Sequence, residues 1–131
     1  MKPKGLLQAE LTGILAAIGH TQYIVIGDAG LPIPQGVRCI DLAVRAGLPS
    51  FLEAVQAVLP ECVFESYTIA LEMEEKNPEL LTRLRDLTGL MPEHMVTHEE
   101  LKQLSQKARC IVRTGETSPY ANVVLVGGVN F

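Results

Sequence analysis

The run Gln22-Tyr23-Ile24-Val25-Ile26 passes without a break into Gly27-Asp28-Ala29-Gly30-Leu31-Pro32-Ile33-Pro34. The first segment reads as a buried strand. The glycines and prolines that follow stop strand and helix alike, so the strand ends in a fixed loop. A chain built around this junction needs partner strands and helices to cover them, and the remaining sequence supplies both. Leu7, Leu11, Ile14, Leu15 and Ile18 recur at helical spacing, and Gly19 is the stop. Ser50-Phe51-Leu52-Glu53 is a capping box for a helix facing inward through Phe51, Leu52, Val55, Val58 and Leu59. Asn77-Pro78 reads as a cap followed by proline at the first helical position, with Leu80, Leu81, Leu84 and Leu87 as the stripe and Gly89 as the end. Thr97-His98-Glu99-Glu100 is a second capping box, opening a helix to about Ala108. Residues 62–69, 95–96, 110–113 and 123–126 read as strands, while 37–44 fits a short strand or one helical turn. The apolar end, Val129-Asn130-Phe131, is expected to pack against something. Helices alternating with short apolar strands predict an α/β domain over 1–131 with a largely parallel sheet.

A chain of 131 residues can bury enough surface to fold without a metal or disulfide staple. At 47% hydrophobic and 20% charged residues it is globular rather than disordered. Eleven basic against fifteen acidic side chains leave a net charge of −4 and no basic run, which argues against nucleic acid and anionic lipid as partners. No apolar stretch approaches a membrane span. The start, Met1-Lys2-Pro3-Lys4-Gly5, has neither the apolar run nor the cleavage site of a signal peptide. Cys39, Cys62 and Cys110 are scattered and each precedes Ile or Val, as buried thiols of a reducing compartment do; only Cys39, beside Arg38, hints at a reactive thiolate.

Two loops follow strong strands, 27–34 and 114–122, and both are polar islands between apolar runs. Open α/β sheets bind ligands beyond the carboxyl ends of their strands. Asp28 and Tyr120-Ala121-Asn122 therefore face the place where a small polar ligand would sit. His94 and His98 are four apart, which invites a zinc site. The capping box removes it: with Thr97 as cap, His98 opens the helix and His94 lies outside, so the two rings share no helix face. His20 suits a surface or cap role, the functional alternative being a general acid or base, because imidazole titrates near neutrality. Asp28 suits an Asx turn or loop anchor as well as a ligand contact. Gly27-x-x-Gly30 lacks dinucleotide spacing, and the loop at Gly115 lacks the lysine of a phosphate loop.

Several segments in order resemble the ribose pyranase and fucose mutarotase family. They are Ile18-Gly19-His20-Thr21, the loop from Gly27 to Pro34, Ile40-Asp41-Leu42-Ala43, Gly47-Leu48-Pro49-Ser50-Phe51, Thr97-His98-Glu99-Glu100, Arg113-Thr114-Gly115-Glu116 and Ser118-Pro119-Tyr120-Ala121-Asn122-Val123. The resemblance implies a three-layer α/β/α fold and an isomerase that opens and recloses the ribose ring between pyranose and furanose, with no cofactor. It implies that His20 donates the proton and that Asp28, His98, Tyr120, Ala121 and Asn122 hold the sugar. It also implies a cytoplasmic homo-oligomer built from pentameric rings, a decamer. Gly30 and Ala121 stand where the fucose branch has histidine and glycine, which favours the ribose branch. A fucose-type mutarotase and a non-catalytic sugar-binding module associated with a transporter remain the alternatives. The segment from about Glu72 to Met95 matches least, and neither it nor His94 receives a role.

Overall fold

Strand Tyr23–Gly27 (β1) lies near the centre of a six-stranded mixed sheet in the computed structural model, which describes residues Met1–Phe131. The elements run α1 (Ala9–Ala17), β1, β2 (Cys39–Asp41), α2 (Phe51–Val58), β3 (Phe64–Ala70), α3 (Glu72–Lys76), α4 (Pro78–Thr88), β4 (Glu93–Val96), α5 (His98–Ser105), β5 (Ile111–Arg113) and β6 (Val123–Gly127). In space the strands are ordered β2-β5-β1-β6-β3-β4. Five strands run one way and β6 alone runs the other, antiparallel to both β1 and β3.

Alternation along each strand sends side chains to opposite faces. Ile24, Ile26, Tyr67, Ile69, Val123 and Leu125 meet Leu11 and Leu15 of α1, Phe51 and Val55 of α2, and Leu81 and Leu84 of α4. On the other face Val25, Ile111 and Val124 meet Leu31 and Leu101 of α5. The result is the three-layer α/β/α arrangement. Both capping boxes form: the Ser50 and Thr97 hydroxyls accept from the peptide N–H of Glu53 and Glu100, and each glutamate reaches back to the cap's own N–H. No helix is long and apolar enough to cross a membrane.

The connections matter most for the site. β5 and β6 flank β1, so the 114–122 loop joining them must cross the carboxyl end of β1, where the 27–34 loop begins. Backbone bonds lock the two loops together: Thr114 N–H donates to Gly27 C=O at 3.1 Å and Ala29 N–H to Glu116 C=O at 2.8 Å. Thr114 is buried, and its hydroxyl also donates to Gly27 C=O, at 2.8 Å.

Several elements differ from the sequence reading. Leu7 is exposed; α1 begins at Ala9, and Leu6, before the helix, packs inward instead. α5 ends at Ser105, short of Ala108. Asn77 precedes α4 but does not cap it, because its side chain is turned toward Ser118 and Pro119. The five-residue α3 was not anticipated; it is too short to show a period. Residues 37–44 resolve into the three-residue edge strand β2. Phe131, expected to pack, is fully exposed in the isolated chain.

The Ser50 cap sets where α2 begins, and it costs little to test. Ser50→Ala should lower the unfolding free energy by about 1 kcal/mol. Gln56→Ala, on the exposed side of the same helix, should stay within about 0.5 kcal/mol. Urea denaturation at fixed protein concentration measures both.

Candidate functional site

Asp28, at the carboxyl end of β1, is held from three directions. Its N–H donates to Asn122 Oδ1 at 2.9 Å, and its own Oδ1 accepts from Gly30 N–H at 2.8 Å, an Asx turn. Asp28 C=O accepts from Leu31 N–H. Nothing within the chain engages Oδ2, and the residue is half-buried, so one carboxylate oxygen faces outward. Gly27 makes this packing feasible. A Cβ there would lie 2.6 Å from Leu31 Cδ2 and 2.9 Å from Asn122 Oδ1, closer than real Cβ atoms come.

Asn122 and Ala121 are fully buried. Asn122 Nδ2 has no partner, so the carboxamide is held by its oxygen alone. Tyr120, two residues earlier, adopts φ of +58°, a left-handed conformation uncommon for a tyrosine, and its C=O accepts from Asn122 N–H at 2.8 Å. This turn carries the chain from the exposed loop into β6. The Tyr120 ring meets the His98 ring edge to face, with centroids 5.1 Å apart and planes at 81°. His98 opens α5 where the capping box demands, directly after β4, and its Nδ1 is buried without a partner. His98, Tyr120, Asn122 and Asp28 thus form one arc along the carboxyl edge of the sheet.

His20 does not join this arc. It precedes β1, whereas Asp28 follows it. Five strand residues at about 3.3 Å each put roughly 16 Å between the two sheet edges. His20 is half exposed, with Nε2 2.8 Å from Glu65 Oε2 at the start of β3. A carboxylate only accepts, so Glu65 favours the tautomer with hydrogen on Nε2 and leaves Nδ1 free. The next residue, Thr21, has φ of +68°, so both left-handed non-glycine residues of the chain adjoin or belong to the predicted site residues. A hollow of about 470 Å³ also opens at this edge, lined by Leu15, Ile18, Cys62, Val63, Val129 and Phe131 among others.

The second loop contributes a residue to which the sequence reading gave no role. Glu116 accepts from Phe51 N–H at 3.0 Å, from Ser118 N–H at 3.2 Å and from the Ser118 hydroxyl at 2.9 Å. Burial alone would push its carboxyl up, but these donors together hold it below the usual carboxylate range. A lone glutamate in a polar loop between two apolar strands was the available signal. Cys39 is the reverse case: burial and nearby Asp41 push its thiol up, and Arg38 is engaged by Glu10 instead. Cys110 is pushed up to about 12, chiefly by burial. His94 lies on β4, exposed, away from the helix that carries His98.

Residues 1–130 match the RbsD / FucU transport protein family. The chain belongs to this family. A D-ribose pyranase of Symbiobacterium thermophilum is 48% identical over 131 residues, covering 100% of both chains. The RbsD of Bacillus subtilis, solved in complex with D-ribose, superposes with a TM-score of 0.96 at 42% identity, again over 100% of both. The fucose mutarotase of Streptococcus pneumoniae, solved with L-fucose, gives 0.81 at 25% identity over 95% of each chain. Within the RbsD / FucU family the chain therefore stands nearer to the ribose proteins in both sequence and backbone.

A carboxylate with a lowered folded pKa stabilises the fold above its unfolded value of about 4.3 and loses that contribution as pH falls through the folded value. The Tm of the wild type should therefore drop toward acid. Glu116→Gln should be less stable than wild type above pH 5, with the gap closing as pH falls toward 3. Glu10, Glu93 and Glu99, also held low, are common to both proteins and cancel in the difference. Parallel Tm curves from pH 3 to 7 would contradict the role given to Glu116.

Proposed function

We propose that this chain is a D-ribose pyranase, interconverting the pyranose and furanose forms of ribose by acid–base catalysed opening and reclosure of the ring. The observation that carries this reading is a ribose-bound relative that matches the whole backbone, together with an arc of hydrogen-bonding groups suited to a polyol. Ring opening breaks the bond between the anomeric carbon and the ring oxygen. The ring oxygen gains a proton while the anomeric hydroxyl loses one, giving the free aldehyde. Rotation then presents the other hydroxyl, and closure returns both protons. No electrons are transferred, and positioned acid–base groups supply about 10²–10⁴-fold.

In this reading His20 donates from Nδ1 to the ring oxygen when both ring nitrogens carry hydrogen, with Nε2–H held by Glu65. Asp28 Oδ2 accepts from a sugar hydroxyl. The His98 and Tyr120 rings contact the sugar, and Ala121 and Asn122 seat the turn beneath it. Because His20 and Asp28 lie at opposite sheet edges, the proton donor of each site is taken from a second copy of the chain. Joining one copy's His20 edge to the next copy's Asp28 edge is a head-to-tail contact, of the kind that closes into rings. Such a ring is compatible with the pentameric rings, paired as a decamer, that the family resemblance implies, and in it a neighbour covers the exposed Phe131 and its hollow. A cytoplasmic place in ribose catabolism completes the proposal.

Gly30 supports ribose over fucose. A Cβ there would meet only Asp28 Oδ1, at 3.5 Å, and the backbone does not demand glycine. Its missing side chain keeps open the space beside Asp28. Discrimination at such a pocket is worth only ~1–3 kcal/mol. In NMR saturation transfer, added protein should speed exchange between ribopyranose and ribofuranose signals, and fucose anomer exchange less. His20→Ala should abolish most of the catalysed exchange with circular dichroism unchanged. Faster fucose exchange with no effect on ribose ring size would move the chain to the mutarotase branch.

A further inference from the structure

The His98–Tyr120 ring pair rests on α3, in the segment that matches the family least and for which no role is expected. Glu72 is the first residue of α3, and its Oε2 accepts from His98 N–H at 2.7 Å. Asn77 ends α3, and its Nδ2 donates to Pro119 C=O at 2.9 Å and to Ser118 Oγ at 3.0 Å. Carbonyl oxygen only accepts, so this carboxamide can be oriented in one way only. The Ser118 hydroxyl passes the connection on to Glu116. Between the two ends Met73 is fully buried and pins α3 to the core. One end of a five-residue helix thus grips the residue bearing one ring, and the other end grips the residue before the second ring.

This geometry explains why Asn77 is not spent on capping α4. It also has a reason in energetics. The Tyr120 backbone is left-handed, its ring meets His98 edge-on and it is only partly buried against the core, so sequence-local preference does not fix it and its packing leaves room for a further hold. We propose that Glu72 and Asn77 are positioning residues, holding His98 and Tyr120 at the spacing the sugar requires. The inference rests on the reading that these two rings contact ribose, although the ring geometry itself can be tested without a sugar. Neither side chain touches the proton-transfer step, so affinity rather than turnover is the quantity they control.

The experiment compares Asn77→Asp, Glu72→Ala and Glu72→Gln with wild type. Asn77→Asp is nearly isosteric but turns a donor into an acceptor facing Pro119 C=O. Glu72→Gln keeps an acceptor for His98 N–H. Asn77→Asp and Glu72→Ala should bind ribose about tenfold more weakly and raise KM alike, since misplacement of about 1 Å is costly, with kcat within about twofold. Glu72→Gln should recover affinity to within about threefold. In unliganded protein, the ring-proton shifts that His98 and Tyr120 impose on one another should relax in the two weakened variants and persist in Glu72→Gln. A purely structural role would lower Tm and leave affinity and ring shifts unchanged below the transition. Wild-type affinity together with wild-type ring shifts in Asn77→Asp overturns the proposal. If Glu72→Ala fails to fold, the isosteric pair still decides. If wild type itself does not bind ribose, the ribose reading fails, while the ring shifts still report whether α3 positions the pair.

Discussion

A carboxamide shut away from water holds the candidate site together. Burying an amide without partners costs several times what a hydrogen bond returns in water-exposed surroundings. Asn122 offsets part of that cost through one contact, its Oδ1 to the N–H of Asp28, while Nδ2 has no partner. The bond fixes where β1 ends and the Asp28 loop begins. It requires Gly27, since any side chain there would strike Asn122 Oδ1 and Leu31. The chain enters β6 through the left-handed turn at Tyr120, whose ring stands edge-on against His98. The antiparallel course of β6 is therefore part of the site: only a loop crossing from β5 over β1 can bring Asn122 above Asp28.

Features governed by short-range physics were legible in the sequence. Both capping boxes, the Gly89 helix end and the strand leading into the Asp28 loop depend on residues within one turn or one strand, and each stands where its spacing put it. Leu7 and Asn77 were misread for the opposite reason. Leu7 has the helical spacing, but α1 begins two residues later, at Ala9, and Leu6 takes the buried place. Asn77 has a capping residue's chemistry, but a partner 41 positions away claims its donor. No local rule contains that competition. α3 has too few residues for a period, and its anchoring by Met73 is visible only in three dimensions.

The candidate site divides along the same line. Asp28, Tyr120 and Asn122 could be grouped because loops after neighbouring strands share an edge. That His20 stands apart follows from its place before β1 while Asp28 comes after it, but the family resemblance groups the two by role and not by sheet edge. The consequence is chemical. In the proposed function an isolated chain gathers Asp28, His98, Tyr120 and Asn122 at one edge and leaves His20, the proposed proton donor, across the sheet at the edge where the hollow opens. Assembly then becomes a condition of catalysis in the proposed function, and the exposed Phe131 finds a use in the contact.

Subunit mixing tests this dependence most directly. His20→Ala and Asp28→Ala proteins are each expected to be nearly inactive in ribose ring exchange. Unfolded together and reassembled in equal amounts, they should regain about a quarter of wild-type exchange, since random pairing across a head-to-tail contact reunites an intact His20 with an intact Asp28 at that frequency. A mixture no more active than its parents, although fully assembled by sedimentation, would contradict a site shared between copies.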